Sequence, residues 1–213
     1  MAYQLPDGSI VSLATVYGPA KAVTALTNAA PAVATSNAHG LANGALLEVT
    51  SGWQALNGRI MRATAAAANA FALENSDTSK QANFSPGGGI GSVREITQFM
   101  EIPQITDFTT NGGDQQFWTG SFLADNFERQ LPTITSAQSI QMSMADDPAQ
   151  PGLVALQIAS DDRAIRALKL ALPNGSVLLY NGYVSYNPTP TLTKGTIMTV
   201  RATFSLVGRP VRY

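Results

Sequence analysis

Alternation with period two is the dominant pattern in the chain. Met198, Val200, Ala202, Phe204 and Leu206 fall on one side of an extended segment, with Thr199, Arg201, Thr203 and Ser205 on the other. Successive side chains of a strand point to opposite faces, so this is how a strand with one buried face reads. Ile140, Met142 and Met144 alternate in the same way with Ser139, Gln141 and Ser143. Both segments are predicted to be antiparallel strands that turn small polar groups away from the core. Leu168, Leu170 and Leu172 lead into Pro173-Asn174-Gly175-Ser176 and then Val177 to Tyr186. Asn-Gly between two such runs predicts a tight hairpin, because both turn residues tolerate positive φ. One segment departs from the alternation. From about Pro151 to Ser160 a proline suits the first helical position, and Leu153, Leu156 and Ile158 supply apolar packing, which predicts a short helix.

Three blocks follow along the chain. A lead up to about Ala20 carries Ile10, Val11, Leu13, Val16 and Tyr17 as a predicted edge strand and ends at Gly18-Pro19. A second block, about Lys21 to Phe84, is poor in large core residues and rich in Ala and Asn, with β-like pieces at Leu46 to Thr50, Arg59 to Ala63 and Ala70 to Leu73. It reads as a small, shallow β module. The third block opens after Ser85-Pro86-Gly87-Gly88-Gly89, whose φ freedom suits a hinge or a sharp re-entry. The expected fold is mainly β: an antiparallel β-sandwich or barrel with one short helix, formed by residues 1–20 and 86–213, plus a small inserted β module at 21–85.

Charge changes the picture more than size does. Charged residues are 13% of the 213, against about 25% in an ordinary soluble domain, so much of the surface is neutral and easily desolvated. Part of it is expected to be covered by other subunits. A net charge of −1 leaves no global basic field for nucleic acid or acidic membrane. The charges that exist are segregated. Glu95 to Asp162 holds ten acids and one base, Arg129, whereas Arg163 to Tyr213 holds seven bases and no acid. If that polarity survives in space, one face of a subunit attracts a different face of the next, as head-to-tail assembly requires. The alternative is that the acidic and basic strands pair within one subunit.

Candidate chemistry is sparse. Without cysteine there are no disulfides, thiolate nucleophiles or zinc-thiolate sites. Residues Met1 to Ile10 lack the pattern of an export signal, and no apolar run reaches bilayer-spanning length, so membrane insertion is not expected. Asp146-Asp147 and Asp161-Asp162 are the adjacent carboxylate pairs, and both flank the predicted helix, where Asp caps and turns are routine. His39 is the sole histidine and reads as a turn residue. Gly87-Gly88-Gly89-Ile90-Gly91-Ser92 lacks the lysine and the following helix that a phosphate cradle needs. Trp118, within Phe117-Trp118-Thr119-Gly120, is expected in the core. Trp53 sits in a module with little core to offer, and exposure there would suit contact with a host surface or a glycan. No catalytic, cofactor or metal residue is assigned.

From about Val93 to Tyr213 the chain resembles the tail tube protein of long-tailed bacteriophages. The resemblance is carried by a strand through Ile96, Phe99 and Ile102, then Phe117-Trp118-Thr119-Gly120, then Asp146-Asp147-Pro148 before a helix. It continues with Leu172-Pro173-Asn174-Gly175, the Tyr180 to Tyr186 strand and Phe204-Ser205-Leu206-Val207-Gly208-Arg209-Pro210. Separately, Pro31 to Thr35, Ala38-His39-Gly40-Leu41, Gly44, Leu56-Asn57-Gly58-Arg59 and Asn69 to Leu73 are similar to a small β module of phage structural proteins named after a domain of ubiquitin-activating enzymes. The resemblance implies a non-enzymatic subunit with no cofactor. It also implies six-membered rings, stacked into a hollow tube through which the genome leaves. Its partners would be itself and tail proteins such as the tape measure and the terminator, with DNA only in transit. Its place would be the virion tail, assembled in the host cytoplasm.

Two residue sets follow from that implication. A lumen should avoid basic patches, because each neutralised phosphate adds counterion-release affinity. The small polar faces with Ser139, Gln141, Ser143, Thr199 and Thr203 suit it, and Arg201 departs from it. The segment Thr106 to Gln116, with Asn111, Gly112, Gly113 and Asp114, reads as a long polar loop, costly unless ordered by a neighbouring subunit; a mobile surface loop is the alternative. An outward-projecting module would leave no room for a sheath, which points to a non-contractile tail. Other ring components of a tail, namely terminator, baseplate or connector, remain open, as does a carbohydrate-binding module on a host-facing appendage with Trp53 as its platform. A hydrolase built on Asp146 or Asp161 is the remotest alternative.

Overall fold

The computed structural model describes residues 5–213; residues 1–4 of the predicted lead lie outside the described residues. The strands are β1 (Ile10–Tyr17), β2 (Lys21–Val23), β3 (Ala25–Leu26), β4 (Ala32–Thr35), β5 (Leu46–Ser51), β6 (Arg59–Thr64), β7 (Ala70–Leu73) and β8 (Gly91–Glu101). There follow β9 (Ile105–Asn111), β10 (Gln115–Gly120), β11 (Arg129–Thr135), β12 (Ser139–Ala145), the helix α1 (Pro151–Asp162), β13 (Ile165–Ala171), β14 (Val177–Thr191), β15 (Thr199–Leu206) and β16 (Val211–Arg212). Fourteen of these strands form one curled antiparallel sheet whose main path runs β3-β4-β7-β6-β5-β8-β1-β13-β14-β15-β12-β9; β10 and β11 form a separate pair. The fold is mainly β with one helix, as the alternation predicts.

The apolar faces identified from alternation meet in one core. Ile140, Met142 and Met144 of β12 and Val200, Ala202 and Phe204 of β15 are all inaccessible to solvent, and they pack with Val11, Leu13, Leu168, Tyr180 and Val184 beneath α1. The helix contributes Leu153, Leu156 and Ala159, spaced by three residues so that they share one side. Ile158, expected in that packing, is 57% exposed, because its two-residue offset from Leu156 turns it to the opposite side of the helix.

Strand β1 is not an edge. It lies between β8 and β13, and Val11 to Ala14 are buried without a break. Val11 and Leu13 face the helix core, while Ala14 faces a second cluster with Ile60, Ile96, Ala167 and Leu179. A strand covered on both sides reads as a continuous apolar run.

The second block is better filled than its composition suggests. Leu47, Leu56, Met61, Phe71, Leu73 and Trp53 are buried there with Val93 of β8. Strand β8 joins the two parts: Gly91 to Glu95 pair with β5, and Ile96 to Glu101 pair with β1. Buried Glu48 on β5 receives hydrogen bonds from Arg94 Nε (2.9 Å) and Asn181 Nδ2 (3.3 Å), which ties β5 to β8 and β14. Of the Gly87-Gly88-Gly89 run, expected as a hinge or a sharp re-entry, Gly88 and Gly89 are packed against Trp53 and Gly87 is exposed. A side chain on Gly89 would collide with Leu26 and the Trp53 ring, and Trp53 Nε1 donates to the Ser85 carbonyl at 2.8 Å.

The hairpin between β13 and β14 forms with a different turn. Gly175 N–H donates to Leu172 O (3.0 Å) and Leu172 N–H to Ser176 O (2.9 Å). Gly175 takes a positive φ of 83°, while Asn174 is not among the positive-φ residues. This is a type I turn closed by a left-handed glycine, a three-residue loop. Pro173, with φ fixed near −65°, favours that turn at its first central position.

Candidate assembly surface

Strand register gathers the five predicted lumen residues on one face. Asp107, Ser143, Arg201 and Asn187 form one cross-strand row over β9, β12, β15 and β14; Thr109, Gln141, Thr203 and Ser185 form the next; Asn111, Ser139, Ser205 and Tyr183 form a third. Thr199 lies opposite Ala145 and Thr191 beyond the first row. The sheet thus has an inner face of Ile, Met, Val and Phe under α1 and an outer face of hydroxyls and amides. Arg201, the exception noted in the sequence, shares its row with Asp107. Two strand spacings, roughly 10 Å, separate them, so the carboxylate offsets the guanidinium's field within about one Debye length. The row as a whole is neutral.

The predicted inter-subunit loop is mostly strand. Thr106 lies in β9, where its hydroxyl donates to Ser143 O (3.1 Å), and Gln116 lies in β10. Only Gly112, Gly113 and Asp114 connect the two. The segment's Thr residues are β-branched and fit a pleated ladder; Thr109 lies on the polar outer face beside Gln141. Gly112 is required at the junction, since its φ is +75° and a side chain would strike the Ala137 carbonyl. Asp114 N–H donates to Ser136 Oγ (3.0 Å), and Ser136 N–H to Asp114 O (2.9 Å). The β9–β12 ladder therefore continues, through a glycine bulge, into the β10–β11 hairpin.

That hairpin is an arm with no cover from its own chain. Every residue of β11 is exposed, as are five of the six in β10. Trp118 pairs with Leu131 on one face and Phe117 with Pro132 on the other, so both faces of the ribbon are apolar. Trp118 is 46% and Phe117 54% exposed, which overturns the expectation of a core tryptophan. The 121–128 turn adds Phe122, Leu123 and Phe127, all exposed. Two-stranded ribbons are marginal in water by themselves, and this arm gives one the apolar surface of an interface.

The other candidate residues resolve as structure. Trp53 is 3% exposed and stacks edge-on against Phe84, so it offers no glycan platform. His39 is buried: its Nδ1 accepts from Leu41 N–H (3.0 Å) and its Nε2 lies 3.2 Å from Ala70 O. The carboxylate pairs sit at opposite ends of α1. Asp147 accepts from Ala149 N–H and Gln150 Nε2 before the helix. Asp161 and Asp162 lie inside its last turn rather than beyond it. The dipole disfavours acids there, but Asp162 accepts from Ala164 N–H and pairs with Arg166, which lowers its pKa below the ordinary carboxylate value. Among the described residues no three metal-ligating side chains converge, and no helix is long and apolar enough to cross a membrane.

The segregated charges meet within the subunit in one ion pair among the described residues, Arg166 with Asp162; Arg129 pairs inside the acidic segment, with Asp125 at 3.0 Å. Among the described residues Arg209 of the basic segment makes no ion pair; it lies beside Arg59, and both line a cleft of about 1160 Å³ between the root of the arm, the second block and the Leu206 to Pro210 segment.

No curated protein matches the chain. The family described as phage tail tube protein matches residues 51–213, from the end of β5 to the last residue and including the polar face, the arm, and the helix with most of the core beneath it. That span is about three quarters of the sequence, so the chain belongs to the phage tail tube protein family, with a structural role in a virion tail and association with copies of itself.

Proposed function

We propose that this subunit assembles into stacked six-membered rings whose hollow centre is the channel for genome delivery. The observation that carries the proposal is the family match over 51–213. The polar outer face supports it. Three rows of hydroxyl and amide side chains with one acid and one base give DNA little to hold, because retention of a polyanion grows with the number of uncompensated cations. In this arrangement Ser139, Gln141, Ser143, Thr199 and Thr203 face the lumen, and DNA passes without specific binding. Residues 21–85 form the inserted module on the outside of the tube, which suits a non-contractile tail. The tape measure and the terminator are its neighbours inside and at the end, and assembly takes place in the host cytoplasm. The subunit performs no catalysis.

Electron microscopy of the purified protein over a concentration series tests this. Hollow tubes with a regular axial repeat and six subunits per ring are the expected outcome. Single closed rings would reassign the chain to a terminator, baseplate or connector position. A thiol placed at Gln141 should be labelled by a small maleimide in tubes but not by one carried on a large protein; equal labelling by both would remove this face from the lumen.

A further inference from the structure

The arm lacks an occupant for its apolar faces, and the cleft lacks a counterion. Arg59 and Arg209 make no side-chain hydrogen bond or ion pair among the described residues, and Arg59 Nε is buried without a partner. Burial, helped by the neighbouring Arg209, lowers the Arg59 pKa, which is the direction expected of a cation lacking a counter-charge. The cleft lining mixes amides and hydroxyls with Phe84, Val207 and Pro210, and contains no acid. The 121–128 tip has the complementary make-up: Phe122, Leu123 and Phe127 exposed, and Glu128 with no ion pair among the described residues, beside the Asp125–Arg129 pair. A tip cannot reach the cleft of its own chain. The arm root lines that cleft, and the ladder from Gln115 to Gly120 carries the tip about 20 Å away from it.

We propose that the tip of the β10–β11 arm of one copy seats in the Arg59–Arg209 cleft of a second copy, placing Phe122, Leu123 and Phe127 against Phe84, Val207 and Pro210, and Glu128 between the two guanidinium groups. The inference rests on the tube assignment and adds its contact surface. The two patches differ, so the contact is heterologous and propagates from copy to copy, closing a ring or extending a stack. It desolvates the arm's apolar tip and supplies the acid that the cleft lacks.

The absence of cysteine makes the test clean. Leu123→Cys and Gln54→Cys, at the tip and the cleft rim, are made in separate chains, mixed, assembled and oxidised. A disulfide dimer that forms from the mixture at least tenfold more than from either variant alone is the expected result. As an independent measurement, Glu128→Arg should raise the concentration needed for assembly at least tenfold, and Arg209→Glu in the same chain should restore most of it. Both substitutions are at the surface, so folding is preserved and can be checked by circular dichroism. Tubes that form without the mixed disulfide, or a charge reversal without rescue, overturn the docking while leaving the tube assignment standing. A wild-type chain that stays monomeric at every concentration overturns both.

Discussion

The second block and the arm invert what their compositions suggest. Residues 21–85 are rich in Ala and Asn, yet they enclose Trp53, Phe71 and Phe84 in a closed core. The arm, with Phe117, Trp118, Phe122, Phe127 and Leu131 in a short stretch, encloses none of them. The difference lies in neighbours. The second block has β8 running through it and the polar joint of Glu48, Arg94 and Asn181 beside it, whereas β10 and β11 pair only with each other. An aromatic cluster is a core only when the same chain supplies its second layer. Where it does not, the cluster stays exposed, as in this arm, and the proposed docking supplies its second layer from another copy.

Substitutions should separate the two regions sharply. Phe71→Ala removes a fully buried ring in edge contact with His39 and should cost about 3–5 kcal/mol in a urea titration of the dilute subunit. A loss below about 1 kcal/mol would mean the second block is not a packed unit. Tyr17 lies at the wall between block and body; its hydroxyl accepts from Ala167 N–H (2.8 Å), and Arg94 lies over its ring. Burial pushes its pKa up to about 12. The folded state therefore holds the phenol proton more tightly than the unfolded state. That stability is complete below pH 10 and declines as pH rises towards 12, by roughly 2–3 kcal/mol. Tyr17→Phe should flatten that decline, as measured by denaturation at pH 8 and pH 11.5. Glu48→Ala strips a buried joint and should cost about 2 kcal/mol, with the Asn181 amide losing one of its two acceptors. At the small end, Trp118→Ala should change the stability of the dilute subunit by less than about 1 kcal/mol while weakening assembly. A variant that unfolds instead would show the arm to be part of the subunit's own core.

What could be seen in the sequence follows the range of the interactions responsible. The alternation of 139–144 and 198–206 is local, and it located β12, β15 and their polar face. The pieces at 46–50, 59–63 and 70–73 correspond to β5, β6 and β7 within one residue, because each carries its own short apolar run. The position of β1 depends on what lies on its other side, β8 and the Ile60 cluster, which no local pattern reveals. The same holds for Trp53 and Trp118: a tryptophan in a strand has the same neighbours in sequence whether or not a second layer covers it. A signal for the arm was nonetheless present. Pro132 removes a ladder N–H and confines its strand to an edge, and the Phe-Leu-Ala-Asp-Asn-Phe turn is too apolar for a free loop.

Hydrogen exchange of the arm tests most directly whether this subunit is completed by other copies of itself. In dilute subunits the amides of 115–135 should exchange within seconds while those of 46–73 remain protected; in assembled tubes both should be protected. Protection of 115–135 in the dilute subunit, or rapid exchange there in the tube, would contradict the account.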